Sequence, residues 1–196
     1  MRYDKGHKDQ TREHILKIST EQFLEQGYNA VGIAKLMASA GLTNGAFYNH
    51  FKSKEDLFEW CVVRSLQNIR KLMEKNATKE GGGLRAIILD YLGDGHFSNP
   101  ARGCAAATLT PEISRLGISV KTAFTREQDA IVEVLVSQLP HTFSGAKRRE
   151  VAQALFAMMT GTLQLARAMP TKEAANAVLV SGQKSAFDLC QIKYDP

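Results

Sequence analysis

The chain has 196 residues, of which 44% are hydrophobic, and a formal net charge of +5. This length predicts one or two domains with a packed core. No apolar run is long enough to span a membrane, and the polar start of the chain has no signal-peptide pattern, so a cytoplasmic protein is predicted. The three cysteines are widely spaced, which excludes a disulfide framework and a metal site of the usual spacing. We predict no cofactor.

Two helices are predicted before the first conspicuous turn. Apolar side chains recur at helical spacing over residues 10–26, and Gly27 ends this segment. A second apolar helical stripe covers residues 33–40. Gly41 follows it, and glycine tolerates the left-handed conformation that commonly ends a helix. The basic residues Arg2, Lys5 and Lys8 precede the first helix and form either an arm that contacts DNA or a solvated tail.

A third helix is predicted directly after that turn. Thr43 is a suitable N-cap, because its hydroxyl can accept a hydrogen bond from an amide near Ala46. Phe47 and Phe51 are four residues apart and therefore share the buried face. The other faces carry small and polar residues and one tyrosine, which suits close entry into a DNA major groove. The pattern predicts a helix-turn-helix; the alternative is an incidental pair of packed helices.

The residues that follow the turn form a long signature. It reads T-x-G-x-x-Y-x-H-F-x-S-K-x-x-L and consists of Thr43, Gly45, Tyr48, His50, Phe51, Ser53, Lys54 and Leu57. Together with Gly27-Tyr28 and Ala40-Gly41, it resembles the tetracycline-repressor (TetR/AcrR) family of transcriptional regulators over residues 10–60. The resemblance implies an all-α fold with a helix-turn-helix DNA-binding domain at 1–54 and a helical effector-binding and dimerisation domain at 55–196.

The same resemblance assigns DNA contacts residue by residue. The predicted DNA-binding residues are Thr43, Asn44, Gly45, Ala46, Tyr48, Asn49, His50, Lys52 and Lys54. Asn44 can pair with base edges, whereas His50 and Lys54 match positions that contact phosphate. Gly32 stands where the family usually has Thr or Ser, so that phosphate contact is not carried over. The net charge is weak support, because the basic excess is spread along the chain.

The rest of the chain is predicted to be helical. Ser53 is expected to cap a long helix that ends at the Gly-rich loop 79–83, and Trp60 is expected in the core or at a domain interface. GDGHF at 93–97 is interpreted as a loop. Further helices are predicted at 84–92, 104–116, 118–139 and 144–169, and from Thr171 towards Lys193. No strand pattern is present.

The resemblance also implies a dimer and an effector pocket. In the family, the last two long helices form a four-helix bundle across the dimer. The predicted interface residues are Phe156, Met159, Leu163, Val180 and Phe187; the alternative is an ordinary core within one chain. The candidate effector-site residues are Cys104, Phe97, Leu109, Phe124 and Met158, which suit a core equally well.

Cys104 is the most distinctive residue outside the helix-turn-helix. The segment GCAAATLTPEISR resembles a subgroup of the family in which a Gly-Cys pair opens the sixth helix, and some such regulators sense electrophiles or oxidants. A thiol in a first helical turn, with Arg102 nearby, is expected to have a lowered pKa. The alternative is a small inert core residue, as Cys61 and Cys190 are interpreted.

These observations predict a ligand-responsive DNA-binding transcriptional regulator. It is expected to bind a pseudo-palindromic DNA operator as a homodimer and to be released by a small-molecule or electrophile effector. A repressor is favoured, although an activator has the same sequence features. The alternatives are a helical protein–protein adaptor and a small cysteine-dependent enzyme with His96 as the base for Cys104. No acid or oxyanion element accompanies that pair, so no enzyme activity is predicted.

Overall fold

The computed structural model of the protein describes residues 5–194. Within this range the chain forms ten α-helices and one 3-10 turn, without a β-strand, so the all-α prediction is confirmed. The helices are α1 (Lys5–Gln26), α2 (Ile33–Ser39), α3 (Asn44–Phe47), α4 (Lys54–Thr78), α5 (Leu84–Tyr91), α6 (Asp94–Phe97), α7 (Ala105–Ile113), α8 (Ile118–Gln138), α9 (Gly145–Arg167) and α10 (Lys172–Leu189), and the 3-10 turn is Pro100–Arg102.

The first three helices pack around a small aromatic core. Phe47 and Phe51 are buried, as their spacing predicts. Gly41 has a φ of +68°, which confirms its role as the residue that ends α2. His14 on α1 contacts the Ala40 carbonyl oxygen through Nε2 at 3.2 Å, where α2 ends. The His14 contact links the end of α2 to α1.

Helix α4 connects the first three helices to the others. The Asp56 amide donates to the Ser53 hydroxyl at 3.0 Å, which confirms the predicted cap. Its 25 residues give a length of about 37 Å. Helix α4 packs against both α1 and α8. Helix α4 therefore contacts both the first helix and the helices that follow it.

Helices α9 and α10 form a closely packed pair at the end of the chain. A Cβ atom placed on Gly182 would lie 2.3 Å from the Thr162 Cγ2 atom, which is closer than real Cβ contacts. A glycine at this position is therefore needed for the helices to approach one another. Among the described residues, none of the helices combines the length and apolar character that crossing a membrane requires.

Three glutamates tie the region around α1–α4 to the helices that follow. The Tyr28 amide donates to Glu112 Oε1 at 2.7 Å, and the Gly117 amide donates to Glu55 Oε1 at 2.9 Å. The Ser119 hydroxyl donates to Glu59 Oε2 at 2.5 Å. Charge-assisted hydrogen bonds are stronger than neutral ones. The position of α7 and the start of α8 is thus coupled to that of the first three helices.

The structure corrects several details of the sequence interpretation. Helix α1 begins earlier than predicted, so Lys8 lies within it and not in an arm; Arg2 lies outside the described residues. Asp94–Phe97 is a helical turn and not a loop. Trp60 is 44% exposed and so does not lie in the core, and the Arg12 guanidinium lies 4.3 Å from the centroid of its ring. Helix α10 ends at Leu189, before the predicted limit.

Candidate nucleic-acid interface

The helix that follows the turn is short. Helix α3 spans Asn44–Phe47, although the Phe51 amide still donates to the Phe47 carbonyl oxygen at 3.0 Å. Thr43 occupies the N-cap position, but its hydroxyl makes no capping bond, so that prediction was wrong. The Ala46 amide instead donates to the Thr43 carbonyl oxygen at 3.0 Å, which leaves the exposed hydroxyl available to a partner.

The outer face of α3 combines small residues with one exposed aromatic ring. A Cβ atom on Gly45 would meet no atom within 4 Å, and the backbone there is not left-handed, so the fold itself does not require glycine. Tyr48 is 68% exposed and packs edge-on against Phe47 with 5.2 Å between ring centroids. Asn44 and Asn49 are also exposed. The small side chains of this face allow a partner to approach the backbone of α3 closely.

Basic residues follow α3 along the chain. Lys52 is exposed, and the Lys54 ammonium lies 4.2 Å from the centroid of the Tyr28 ring. Burial lowers the pKa of Lys54, and the electron-rich ring face favours its cationic form. Burial, together with the charges of Lys8 and Arg12, lowers the pKa of His50. A phosphate placed beside His50 would favour its protonated form, because opposite charges stabilise one another.

Helix α1 itself contributes to this surface, whereas the sequence interpretation considered Lys8 only as part of an arm or a tail before the helix. Lys8 and Thr11 lie with Ala46, Asn49 and His50 around a cleft of about 480 Å³. Among residues 5–194, no group hydrogen-bonds the buried Nδ1 atom of His50. The sequence did not show this contribution, because α1 begins about one turn earlier than its apolar periodicity indicates. The start of α1 thus adds a basic side chain beside α3.

Cys104 lies at the N-cap of α7, not inside its first turn, and its side chain is fully buried. Burial raises the pKa of the Cys104 thiol, although Tyr91, the amides at the start of α7 and the charge of Arg167 act in the opposite direction. The prediction of a lowered pKa was therefore wrong: loss of hydration outweighs the helix dipole. Arg102, expected to assist, has an exposed side chain.

Two hydrogen bonds hold the His96 ring in one neutral tautomer beside Cys104. The Cys104 amide donates to His96 Nε2 at 3.1 Å, so Nε2 carries no proton and Nδ1 donates to the Tyr91 carbonyl oxygen at 2.8 Å. Burial lowers the pKa of His96 to about 4. Arg167 Nη2 donates to the His96 carbonyl oxygen at 2.7 Å. Because both ring nitrogens bond to backbone groups, His96 is not arranged to take the Cys104 proton.

The remaining candidate effector-site residues do not surround one pocket. Leu109 is buried in the core, whereas Phe124 is half-buried. Phe97 lines a small cleft beside α10, and Met158 lines a different groove on the outside of α9 and α10. The structure therefore separates the residues that apolar character alone grouped together.

Four of the five predicted interface residues lie inside the protomer. Phe156, Met159, Leu163 and Phe187 are buried, and Val180 is half-buried. The four therefore form the core that holds α9 and α10, and their assignment to an interface between chains was wrong. The sequence could not separate the two faces of α9, because large and small apolar residues occur on both.

The outer face of α9 and α10 carries a different apolar groove. The residues that line this groove are Met158, Thr162, Leu165, Ala177, Val178, Ser181, Gly182 and Ser185. Leu165 is 61% exposed and lies within a contiguous set of apolar side chains, which is the kind of surface that marks an interaction site. The groove thus presents large and small residues in the mixture that close helix packing uses.

Comparison with known proteins supports the assignment of the first helices. The model of the family "Bacterial regulatory proteins, tetR family" matches residues 15–61, from α1 into α4. The regulator AcrR of Shigella flexneri is 33% identical over 91 residues, which cover 46% of this chain and 42% of AcrR. The repressor NemR of Escherichia coli K12 is 25% identical over 162 residues, covering 77% of this chain and 81% of NemR.

Solved structures extend the likeness to the whole fold. The reduced form of E. coli NemR has a TM-score of 0.74 at 24% identity and covers 95% of this chain and 98% of its own. A TetR-family regulator from Cytophaga hutchinsonii has a TM-score of 0.77 at 16% identity, with 97% and 98% covered. The signature around α3, the family match over residues 15–61 and the shared fold agree, and the chain carries the N-terminal domain of the tetR family of bacterial regulatory proteins.

Proposed function

We propose that this protein is a ligand-responsive transcriptional repressor that binds a pseudo-palindromic operator as a homodimer. The observation that carries the proposal is the exposed face of α3, where Gly45 is not required by the fold and Tyr48 is unburied. Small side chains allow a helix to enter the major groove, and basic neighbours position it on the phosphates. We assign DNA binding to residues 1–54 and effector binding and dimerisation to residues 55–196.

The proposed dimer forms through the groove on α9 and α10. A second copy of the same groove would supply the apolar partner that Leu165 and Met158 lack within the protomer. A two-fold axis through this groove brings identical faces together, as in most homodimers. The two α3 helices would then be separated by about one turn of DNA, near 34 Å.

The proposed route from effector to DNA runs through α7. Cys104 lies at the beginning of this helix and Glu112, which accepts the Tyr28 amide, lies near its end. A shift of α7 would therefore change the position of α1 and α2, and packed helices tend to move between discrete arrangements. An effector acts only if it prefers the arrangement that does not fit the operator.

We expect Tyr48→Ala and Lys54→Ala to weaken operator binding while the protein remains folded. Tyr48 directly follows α3 and is exposed, and Lys54 is the first residue of α4. Loss of the Lys54 phosphate contact should reduce the slope of log affinity against log salt by about one unit. The measurement is a fluorescence-anisotropy titration at several salt concentrations, with an operator obtained by in-vitro selection from random DNA.

Two further variants separate phosphate contact from base contact. Asn44→Ala should relax base preference at one position in each half-site, by about 1–3 kcal/mol, with the salt slope unchanged. Lys79→Ala is the control, because this exposed lysine ends α4 about 37 Å from Lys54. Unchanged binding by the Asn44, Tyr48 and Lys54 variants would rule out this DNA-contact assignment. No DNA affinity at low salt would favour the helical adaptor.

We propose an electrophile as one class of effector, with Cys104 as its target. Cys61 and Cys190 each have a pKa raised by burial to about 12. Burial raises the pKa of Cys104 too, but the amides of Ala106 and Ala107 at the start of α7 act against this rise, whereas Cys61 lies inside α4 and Cys190 ends α10. Once local opening admits a reagent, the thiol at the helix start is therefore the one that we expect to react.

We expect an alkylating electrophile to modify Cys104 before Cys61 and Cys190, and operator release to follow. Added volume at this packed position should displace α7, since cores tolerate overpacking poorly. The measurement is peptide mass spectrometry of labelled protein in parallel with the DNA titration. Cys104→Ser should bind the operator without responding, and Cys190→Ser is the control. Equal labelling of all three thiols, or equal release of Cys104→Ser, would leave a non-covalent effector.

A further inference from the structure

A cleft between α1, α4 and the 3-10 turn collects basic side chains from three separate elements. It has a volume of about 360 Å³, within the range of small-molecule sites. Lys17 comes from α1, Arg64 from α4 and Arg102 from the 3-10 turn. We propose that this cleft binds a small anion that carries a phosphate or carboxylate group.

Most of the donors in the cleft are available to a ligand. The side chains of Lys17, Arg102 and Asn68 form no hydrogen bond or ion pair with any other residue that the structure describes. Arg64 is partly used, since its Nη1 atom lies 2.6 Å from Glu13 Oε2. A guanidinium has five N–H donors, so Arg64 retains others. An ammonium, two guanidinium groups and an amide thus surround one space.

The net charge of the cleft limits how many negative charges a ligand can carry. Glu21 also lines the cleft, and Glu13 neutralises part of Arg64. Three cations against two carboxylates leave an excess of one positive charge. Such a site suits a singly or doubly charged small molecule, because a polyanion would meet Glu21 without further compensation.

One wall of the cleft is fixed by buried hydrogen bonds. The Ser65 hydroxyl donates to the Gly103 carbonyl oxygen and accepts from the Ala105 amide, both at 2.9 Å. This joins α4 to the start of α7, beside Cys104. An anion bound between Lys17 and Arg102 would therefore hold α1 against the segment that leads into α7. This site is separate from the exposed face of α3.

The test is isothermal titration of the full chain with inorganic phosphate and with acetate, at constant ionic strength and without DNA. We expect saturable binding of at least one of them, weakened about tenfold or more in Lys17→Gln/Arg102→Gln because two positive charges are lost. Glu21→Gln should change affinity in the opposite direction and tighten binding. Phosphate binding without acetate binding would identify a phosphate site, and the reverse a carboxylate site.

Two controls make the location specific. Lys79→Gln removes one exposed lysine about 16 Å along α4 from Asn68 and should bind as wild type does. Lys54→Ala should also retain binding, which separates this cleft from the proposed DNA surface. No saturable binding of either anion by the wild type, or equal binding by wild type and the double variant, would overturn the proposal. Because no DNA is present, either failure is distinct from a failure of operator binding.

Discussion

Leu165→Glu is expected to dissociate the proposed dimer and to reduce operator affinity by about a hundredfold or more. Leu165 is 61% exposed in the protomer, so the substitution should not disturb the core. In the dimer it would place two unpaired carboxylates in an apolar seam, which is strongly unfavourable. Loss of the second half-site contact removes the gain from bivalent binding, which reaches 10²–10⁴-fold. Sedimentation equilibrium and DNA titration measure the two effects.

Two further substitutions serve as controls for this prediction. Leu72→Glu is the control, because Leu72 is 42% exposed on α4 and lies outside the groove; it should leave both the dimer and operator affinity unchanged. Leu163→Glu should instead unfold the protein, since Leu163 is fully buried. A Leu165→Glu protein that remains a dimer at micromolar concentration and binds DNA normally would show that the groove is not the interface.

The sequence predicted local structure well wherever one residue type has one physical role. Gly41 ends α2 with a positive φ, and the Ser53 and Thr171 hydroxyls accept amide hydrogen bonds at the starts of α4 and α10. Phe47 and Phe51 are buried because their four-residue spacing places them on one face. These features depend on neighbours within a few residues, which the sequence supplies directly.

Features that depend on distant contacts could not be predicted. Periodicity identified α9 as apolar, but only packing against α10 decides that Leu163 faces the core and Leu165 faces outward. The environment of Cys104 depends on Tyr91, His96 and Arg167, and Arg167 is 63 positions away along the chain. The helix-start position favoured a low pKa, whereas the surrounding core imposes the opposite shift.

His96→Asn is expected to flatten the dependence of stability on pH between about 6.5 and 4. Burial lowers the pKa of His96 to about 4 from its ordinary 6.5; the Tyr91 carbonyl and Asp90 oppose this change, and Arg167 adds to it. As pH falls below 6.5, the unfolded chain takes up a proton that the folded chain does not accept until near pH 4. The folded state therefore loses about 3 kcal/mol per protomer across this window.

The measurement is urea denaturation of wild type and variant at a fixed protein concentration and at several pH values. Asn can still donate to the Tyr91 carbonyl oxygen but no longer accepts from the Cys104 amide, so the variant should be less stable at pH 7 by about 1–3 kcal/mol. The two stability curves should then converge as pH falls, because carboxylate titration is common to both proteins and cancels in their difference. His141→Asn, at an exposed histidine before α9, should follow the wild-type slope. Parallel curves for wild type and His96→Asn would mean that His96 accepts a proton in the folded state as readily as in the unfolded chain, which its two backbone hydrogen bonds oppose.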